Sequence, residues 1–429
     1  HTHTHIYTHT YTHTYTPHTP LPLPPPIVFA IMFKFQAIAL TMTISVALSS
    51  SSPSTLSDSE RLQTILDKAA LYGAQKYNCT VAIAFKNASL AVSTARGVSN
   101  FETGRLAEAS DKFAWGSGTK PLTGASILKL VSEGTFGLDD PIGPLVNPYL
   151  AYLNNESGGD QNYTSIDELY GDNASKVTVR ALLSMTSGIP DFDTATPKVP
   201  PTDSLRAALY AHPSRSMTPT QLLAVPWIAK GHLEKPGQTS YSSTNFILLG
   251  LILARFSGAT TWSQLNQTCF VSPAGRDAFD DLKFALQIDQ TLANFTLMHG
   301  YDRTHYNNQT APHDVYDVAG VFAGYTASDI VMNVADAAQL SWEVYGKTPT
   351  IAPLEYTKLM IPTSWYGLAT FNLTKDTGFA PPLGTAYGHL GATYGFQSVF
   401  SYHPHLDFSL AIATNIETDD QVQPSDVMC

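Results

Sequence analysis

The sequence predicts an α+β protein in which a sheet is assembled from both ends of the chain and an all-helical lobe is inserted between them. Three observations carry that expectation. Near the start a helical segment is followed by two strand-like runs, the middle shows helical apolar spacing separated by long polar loops, and the end alternates or runs apolar in strand fashion. At 429 residues the chain can bury one large core with a substantial inserted lobe. Its 43% hydrophobic and 14% charged residues exclude a disordered polymer.

Residues 1–31 are read as a low-complexity leader outside the mature protein. His1 to Pro26 alternates His and Thr with Tyr intrusions and ends in prolines, the pattern a CA dinucleotide repeat gives when translated ahead of a start at Met32. A His-rich metal-binding tail is the rival that composition alone leaves open. From Met32, Lys34 precedes an apolar run from Ala37 to Leu48, and small residues follow, so 32–50 reads as a signal peptide. The run includes Thr41, Thr43 and Ser45 and is shorter than the roughly 20 residues a bilayer needs, so no stable membrane span is expected after signal removal. Asn-X-Ser/Thr triplets at Asn78, Asn87, Asn155, Asn162, Asn173, Asn266, Asn294, Asn308 and Asn372 point to a secreted or lumenal, N-glycosylated chain with these positions on its surface. Of the three cysteines, Cys79 and Cys269 are the expected pair, with Cys429 left over.

The folded part begins near Leu56. Leu62, Ile65, Leu66, Ala69, Ala70 and Ala74 have helical spacing, with Ser57 or Asp58 as the cap. Cys79 to Phe85 and Leu90 to Val98 then read as a hairpin turning at Asn87-Ala88-Ser89. Gly118 to Gly134 is one helix; Val177–Ser187, Phe246–Phe256 and Asp329–Tyr345 are further helical segments. Tyr366–Leu373, Gly384–Ala392 and Phe396–Asn415 are strand-like. A sheet lobe of 56–115 plus 366–429 around a helical lobe of 116–365 satisfies this order.

The net charge of −11, with only 24 Lys and Arg, excludes a nucleic-acid surface. The chemistry is sought in serine. A serine hydroxyl is a weak nucleophile that needs a base and donors for the oxyanion. Ser-X-X-Lys at a helix start supplies part of this, because residues three apart share a face and the helix N-terminus favours negative charge. Two copies occur, Ser117-Gly118-Thr119-Lys120 and Ser126-Ile127-Leu128-Lys129. The second falls mid-helix, where no backbone donors are free; the first follows Trp115-Gly116 and opens the helix, where N–H groups lack partners. Ser117 and Lys120 are therefore the candidates.

The run Phe113-Ala114-Trp115-Gly116-Ser117-Gly118-Thr119-Lys120, with Leu138-Asp139-Asp140-Pro141 after it, resembles the nucleophile helix of the serine β-lactamase/penicillin-binding-protein superfamily. It is most similar to the branch of class C β-lactamases, DD-peptidases and esterases. Val177 to Pro190, Pro236-Gly237 with Tyr241-Ser242-Ser243-Thr244-Asn245-Phe246, and Gly388-His389-Leu390-Gly391-Ala392 agree in order, so the resemblance covers roughly 56–417. It implies an antiparallel sheet flanked by N- and C-terminal helices, with the inserted helical lobe. Because the chain stops just after its last predicted strand, the C-terminal helix is expected to be truncated.

The resemblance assigns Tyr241 to proton relay, its phenol pKa lowered by a nearby ammonium. It assigns His389 and Gly391 to the edge strand lining the cleft, Gly391 admitting substrate to the backbone, and gives the oxyanion to the N–H groups of Ala392 and Ser117. Ser243 stands where the family has asparagine and Leu390 where it has threonine, which weakens recognition of a carboxylate-bearing β-lactam or peptide end. The expected activity is hydrolysis of esters or small amide or peptide acyl donors through a Ser117 acyl-enzyme, with no cofactor or metal. A true β-lactamase or DD-peptidase and a catalytically silent scaffold are the alternatives. Other motifs carry less. Tyr306-Asn307-Asn308 heads a glycosylation triplet, Lys235-Pro236-Gly237 reads as a turn, and no Gly-X-Ser-X-Gly elbow exists. His299, His305 and His313 lack metal-ligand spacing.

Overall fold

The computed structural model describes residues 56–428 apart from 157–160, 194–204, 227, 229–230, 272–275, 287–289 and 308–311. The leader, the signal segment, Asn308 and Cys429 lie outside the described residues.

Helix α1 spans Asp58–Tyr77. Ser57 caps it in a reciprocal box, its Oγ accepting from Glu60 N at 3.3 Å while Ser57 N donates to Glu60 Oε2 at 2.8 Å. Asn78, in the left-handed region at φ 50°, ends it. Leu62, Leu66, Ala70 and Ala74, four residues apart, are the stripe it buries on the sheet.

Strands β1 (Val81–Lys86) and β2 (Ala91–Arg96) form the predicted hairpin, closed by Asn87 Oδ1 accepting from Ser89 N and Leu90 N. The second strand ends earlier than expected, because Gly97 at φ 109° turns the chain where any Cβ would overlap the Cys79 carbonyl. Helix α2 (Lys120–Ser132) and helix α3 (Thr244–Phe256) are the heart of the inserted lobe; α3 is buried along Thr244–Ala254, as its uniformly apolar sequence requires.

The segment expected to be helical from Asp329 splits. Ile330–Asn333 is a strand pairing with Lys112–Ala114 and Lys283–Phe284, as its β-branched residues favour, and helix α4 (Val334–Tyr345) starts only where Asn333 Oδ1 accepts from Asp336 N at 2.9 Å.

The strand expected over Tyr366–Leu373 shrinks to β3 (Phe371–Asn372). Gly367 N donates to Thr370 O and Ala369 sits at φ 54°, so the chain turns there instead of extending. Then follow β4 (Tyr387–Thr393), β5 (Phe396–His403) and β6 (Phe408–Thr414). The six-stranded sheet has the order β3-β4-β5-β6-β1-β2 and is antiparallel throughout; Val81 lies opposite Thr414.

A short C-terminal helix, α5 (Gln423–Met428), packs on α1 and the sheet, tied by Asp426 to Lys76 and Tyr77 at 2.5 Å each. This corrects the expectation that the chain stops at its last strand; Gln-Pro-Ser-Asp-Val-Met has too little apolar periodicity to announce itself. The pairing of Cys79 with Cys269 is also overturned: both thiols are free, Cys79 buried in the layer between α1 and the sheet and Cys269 exposed on the helical lobe. Of the described triplet asparagines, all are exposed except Asn87, which is half-buried. No described helix is long and apolar enough to cross a membrane.

Candidate active site

The site grows from one tight turn. Trp115 is fully buried, its indole N–H donating to the Met332 carbonyl at 2.9 Å, and its backbone N donates to Ile330 O. Gly116 follows in the left-handed region at φ 52°, with its Cα against the Ala392 carbonyl, where a side chain would overlap. The chain then enters a 3-10 turn over Gly116–Thr119 that runs straight into α2, whose Pro121 fits a first turn. In this turn Gly116, Gly118 and Thr119 are buried and Ser117 alone is partly exposed, at a position where N–H groups have no intrahelical acceptor.

Lys120, one turn on, is wholly buried. Its Nζ lies 2.9 Å from Ser117 Oγ, 3.2 Å from Ser243 Oγ and 3.0 Å from the Ala327 carbonyl. The carbonyl can only accept, so one amine hydrogen is committed there; the two hydroxyls can donate or accept. Ala327 is held in place by its own short helix, Tyr325–Ala327, in which Tyr325 adopts φ 45°, a strained conformation for a bulky residue. Thr123 Oγ1 donates to Thr326 O at 2.7 Å and Thr326 Oγ1 to Phe246 O at 2.8 Å, locking that turn to α2 and α3. Burial lowers the Lys120 pKa from 10.5 to about 7, against the opposing pull of Asp191 and Asp193.

Tyr241 lies over this amine, its ring centroid 5.1 Å from Nζ, and its phenol faces the hydroxyls of Ser117 and Ser243. The phenol pKa is raised, not lowered: burial dominates, Asp191 and Asp193 add to it, and the Ser117 contact only partly offsets them. The expected activation by an ammonium fails because the lysine is itself driven toward neutrality. The ring stacks on Phe371 at 5.9 Å between centroids.

Ser243, the N-cap of α3, donates its backbone N–H to Asp191 Oδ1 at 2.9 Å. The same start of α3 is laced to the preceding block: Ser187 Oγ donates to Asn245 Oδ1 at 2.7 Å, Phe192 N to Thr244 Oγ1 at 3.0 Å, and Asn245 Nδ2 meets Met185 sulfur at 3.5 Å. This explains why Met185–Pro190 and Tyr241–Phe246 belong together although more than fifty residues separate them.

Ser117, Ser243, Ala392, Phe192, Asp193 and Tyr394 line one narrow cleft. Two expectations shift here. Gly391 does not face that cleft; a Cβ on it would overlap the Trp115 carbonyl and Ser398 Oγ, so glycine is needed for the nucleophile turn to lie against β4. His389 is fully buried, not a cleft residue. Its Nδ1 lies 2.5 Å from the Leu390 carbonyl, which can only accept, so the proton is on Nδ1 and Nε2 accepts from the Tyr366 hydroxyl at 3.0 Å. Burial first and Lys120 second hold its pKa well below 6.5, so it is neutral. Leu390 packs against the apolar layer beneath α1.

β3 pairs only with Gly388 and Tyr387, so beyond them β4 has no further strand partner on that side among the described residues. Asp191 and Asp193 went unnoticed in the sequence. The signal was their place directly after Gly188-Ile189-Pro190, the end of a block already matched.

The remaining motifs settle elsewhere. Ser126 Oγ bonds back to Leu122 O at 2.8 Å inside α2. Lys235-Pro236-Gly237 is a turn, with Gln238 N donating to Lys235 O. Tyr306 covers Arg206, His299 pairs with Asp314 at 2.7 Å, and His305 with Asp419 at 2.5 Å. A roomier hollow of about 620 Å³ lies among residues 161–169 and 205–226, and its walls hold no nucleophile with a base beside it.

A partly exposed hydroxyl at a helix start, bonded to a buried amine whose pKa is brought down to about 7, on an α+β frame with a helical insertion, defines a protein of the serine-hydrolase type. The chain belongs to the beta-lactamase family, whose sequence profile matches residues 67–427. Similar solved structures include the D-amino acid amidase of Ochrobactrum anthropi SV3, at 18% identity and TM-score 0.59 over 84% of this chain and 95% of that one. The D-stereospecific amidohydrolase of a Streptomyces species is similar at 20% identity and TM-score 0.59, over 85% and 95%. The octameric penicillin-binding protein homologue of Pyrococcus abyssi is similar at 19% and 0.60, over 85% and 75%. At such identities the likeness speaks for the fold.

Proposed function

We propose that the protein is a secreted acyl hydrolase in which Ser117 Oγ attacks the acyl carbon of an ester or small amide. The observation that carries this reading is the 2.9 Å contact between Ser117 Oγ and a Lys120 amine whose pKa is brought down to about 7. A neutral amine takes the serine proton as the new C–O bond forms. The N–H groups of Ser117 and Ala392 face the resulting oxyanion. Tyr241, still protonated, gives its hydroxyl proton to the leaving oxygen or nitrogen. Ser243, in contact with both Tyr241 and Lys120, returns the lysine proton to the phenol, so that the acyl-enzyme forms with the base neutral again. Water then enters by the same steps in reverse order and releases the acid.

Ester and amide donors are favoured over β-lactams because the two positions that would greet a carboxylate carry a neutral, buried His389 and a Leu390 turned into the core. The amidase neighbours are consistent with an acyl donor of small amide type. Secretion rests on the 32–50 segment and on the exposure of the triplet asparagines.

A fluorophosphonate label followed by mass mapping, with hydrolysis rates on short-chain esters, D-amino-acid amides and a chromogenic cephalosporin, tests the reading. An adduct on Ser117 and turnover led by esters or amides is expected. No adduct under conditions that label a control hydrolase favours the silent scaffold, and turnover confined to the cephalosporin overturns the substrate preference. A mobility shift on endoglycosidase treatment of protein recovered from the medium checks secretion.

A further inference from the structure

We infer that the acyl donor carries a positive charge close to its scissile bond, a free amine above all, and that Asp193 in the wall of the Ser117 cleft selects it. The inference rests on the acyl-hydrolase reading and adds a substrate class to it.

Asp193 and Ser117 line the same cleft, and Asp193 is open to solvent there. Its backbone N–H donates to Asp191 Oδ1 at 3.3 Å, so the two acids are neighbours, and Asp191 is already engaged by Ser243 N. Asp193 receives one hydrogen bond from the Tyr394 hydroxyl at 3.3 Å, a long contact that leaves a carboxylate oxygen for a further donor.

Burial raises the Asp193 pKa above 3.8 and Asp191 adds to this, while two protein cations, Arg206 and Lys120, oppose it. Neither answers its charge. Arg206 is clamped by both oxygens of Glu417 at 2.7 and 2.9 Å and by Asp302 at 2.9 Å, with its guanidinium face on Tyr394. Lys120 is in its working state only when neutral. In that state Asp193 faces the cleft with no free cation beside it among the described residues, and His389 adds none. A narrow cleft with low-dielectric walls concentrates such a field. A substrate ammonium placed there replaces the missing counter-charge; a substrate carboxylate meets repulsion.

The test compares matched phenylalanine methyl esters near neutral pH: one with a free α-amine, one N-acetylated, one N-succinylated and therefore anionic, in both enantiomers. The expected result is that kcat/KM for the free amine exceeds that of the acetylated ester by about tenfold, through KM, and that the succinylated ester is slowest. Raising the ionic strength narrows the ratio. In Asp193→Asn the free-amine to acetyl ratio falls toward one, and Asp193→Glu, which keeps the charge, restores part of it; thermal melting of both variants reports whether they fold. Hydrolysis of all three esters at equal rates, or fastest for the succinylated one, overturns the charge selection while leaving the acyl hydrolase intact. Absence of turnover on every ester, with no fluorophosphonate adduct on Ser117, overturns both. The wild-type comparison stands even if neither variant folds.

Discussion

The amine of Lys120 and the hydroxyl of Ser117 lie 2.9 Å apart, and the amine is sealed from water by α3 and the turn at Ala327 while the hydroxyl is not. This asymmetry gives the pair its direction: the base is kept neutral by exclusion of solvent, and the nucleophile remains reachable.

Ser117→Ala is expected to abolish both turnover and covalent labelling. Lys120→Met is expected to lower kcat by about 10³-fold with little change in KM, measured on the best ester. Retention of more than about a tenth of kcat in Lys120→Met would show that the proton goes elsewhere.

The same lysine sets a pH signature. Its folded pKa of about 7 lies below its ordinary 10.5, so between these values the unfolded chain holds a proton that the native one lacks. Stability therefore climbs as pH rises through that window, and the burial penalty is complete below about pH 7. Lys120→Met is expected to melt at higher temperature than the parent in mildly acidic buffer, the margin shrinking in alkali. In kinetics, kcat/KM rises with pH through about 7 and shows no separate bend from His389, which stays neutral. A fall in kcat/KM on raising the pH across that value would refute the neutral-amine base.

Tyr241→Phe preserves the stack on Phe371 and removes only the hydroxyl. Loss of about 10² to 10³ in kcat is expected, larger for amides than for activated esters because their leaving group needs the proton more. Ser243→Ala, which cuts the link between Tyr241 and Lys120, is expected to cost less, about tenfold, and to change the solvent isotope effect. Equal losses on amide and activated ester in Tyr241→Phe would remove the tyrosine from leaving-group protonation.

Gly391→Ala forces a methyl into the Trp115 carbonyl and Ser398 hydroxyl. A loss of about 1–3 kcal/mol in unfolding free energy is expected, with activity falling because the Ser117 turn must back away from β4. Undiminished stability by denaturant titration would show that the turn and strand are less tightly apposed than they appear.

Cys79 is buried and its thiol is pushed up to about 12 by burial, whereas Cys269 is exposed. A thiol reagent on native protein is expected to modify Cys269 rapidly and Cys79 only after denaturation, read by peptide mass mapping. Recovery of a Cys79–Cys269 disulfide peptide would contradict the separation of the two residues.

Much of the fold was legible because long periodic segments, such as Asp58–Tyr77 and Thr244–Phe256, announce their period regardless of tertiary context. Ser117 and Lys120 were legible for a related reason: three-residue spacing at a helix start is local geometry. What escaped was set by distant partners. Ile330–Asn333 extends because Lys112–Ala114 lies beside it, and Gln423–Met428 coils because Lys76 and Tyr77 hold Asp426. The phenol of Tyr241 and the ring of His389 carry their charge states from burial, which no spacing encodes. Gly391 was legible as a required glycine, yet the atom that requires it, the Trp115 carbonyl, belongs to a segment more than 270 residues away.

The pairing of Val81 with Thr414 has a kinetic consequence. The central strands of the sheet come from opposite extremes of the folded chain, so β1 cannot find β6, and the sheet that carries β4 and the Ser117 turn cannot close, until nearly everything has been synthesised. Contacts so remote in sequence are slow to form, because the closure entropy of the intervening loop must be overcome first. During that interval the inserted lobe, whose α2 and α3 contacts are nearer in sequence, can condense alone with its apolar underside uncovered. A nascent chain of this protein is therefore most vulnerable to aggregation just before β4–β6 emerge, and hydrolytic competence arrives last.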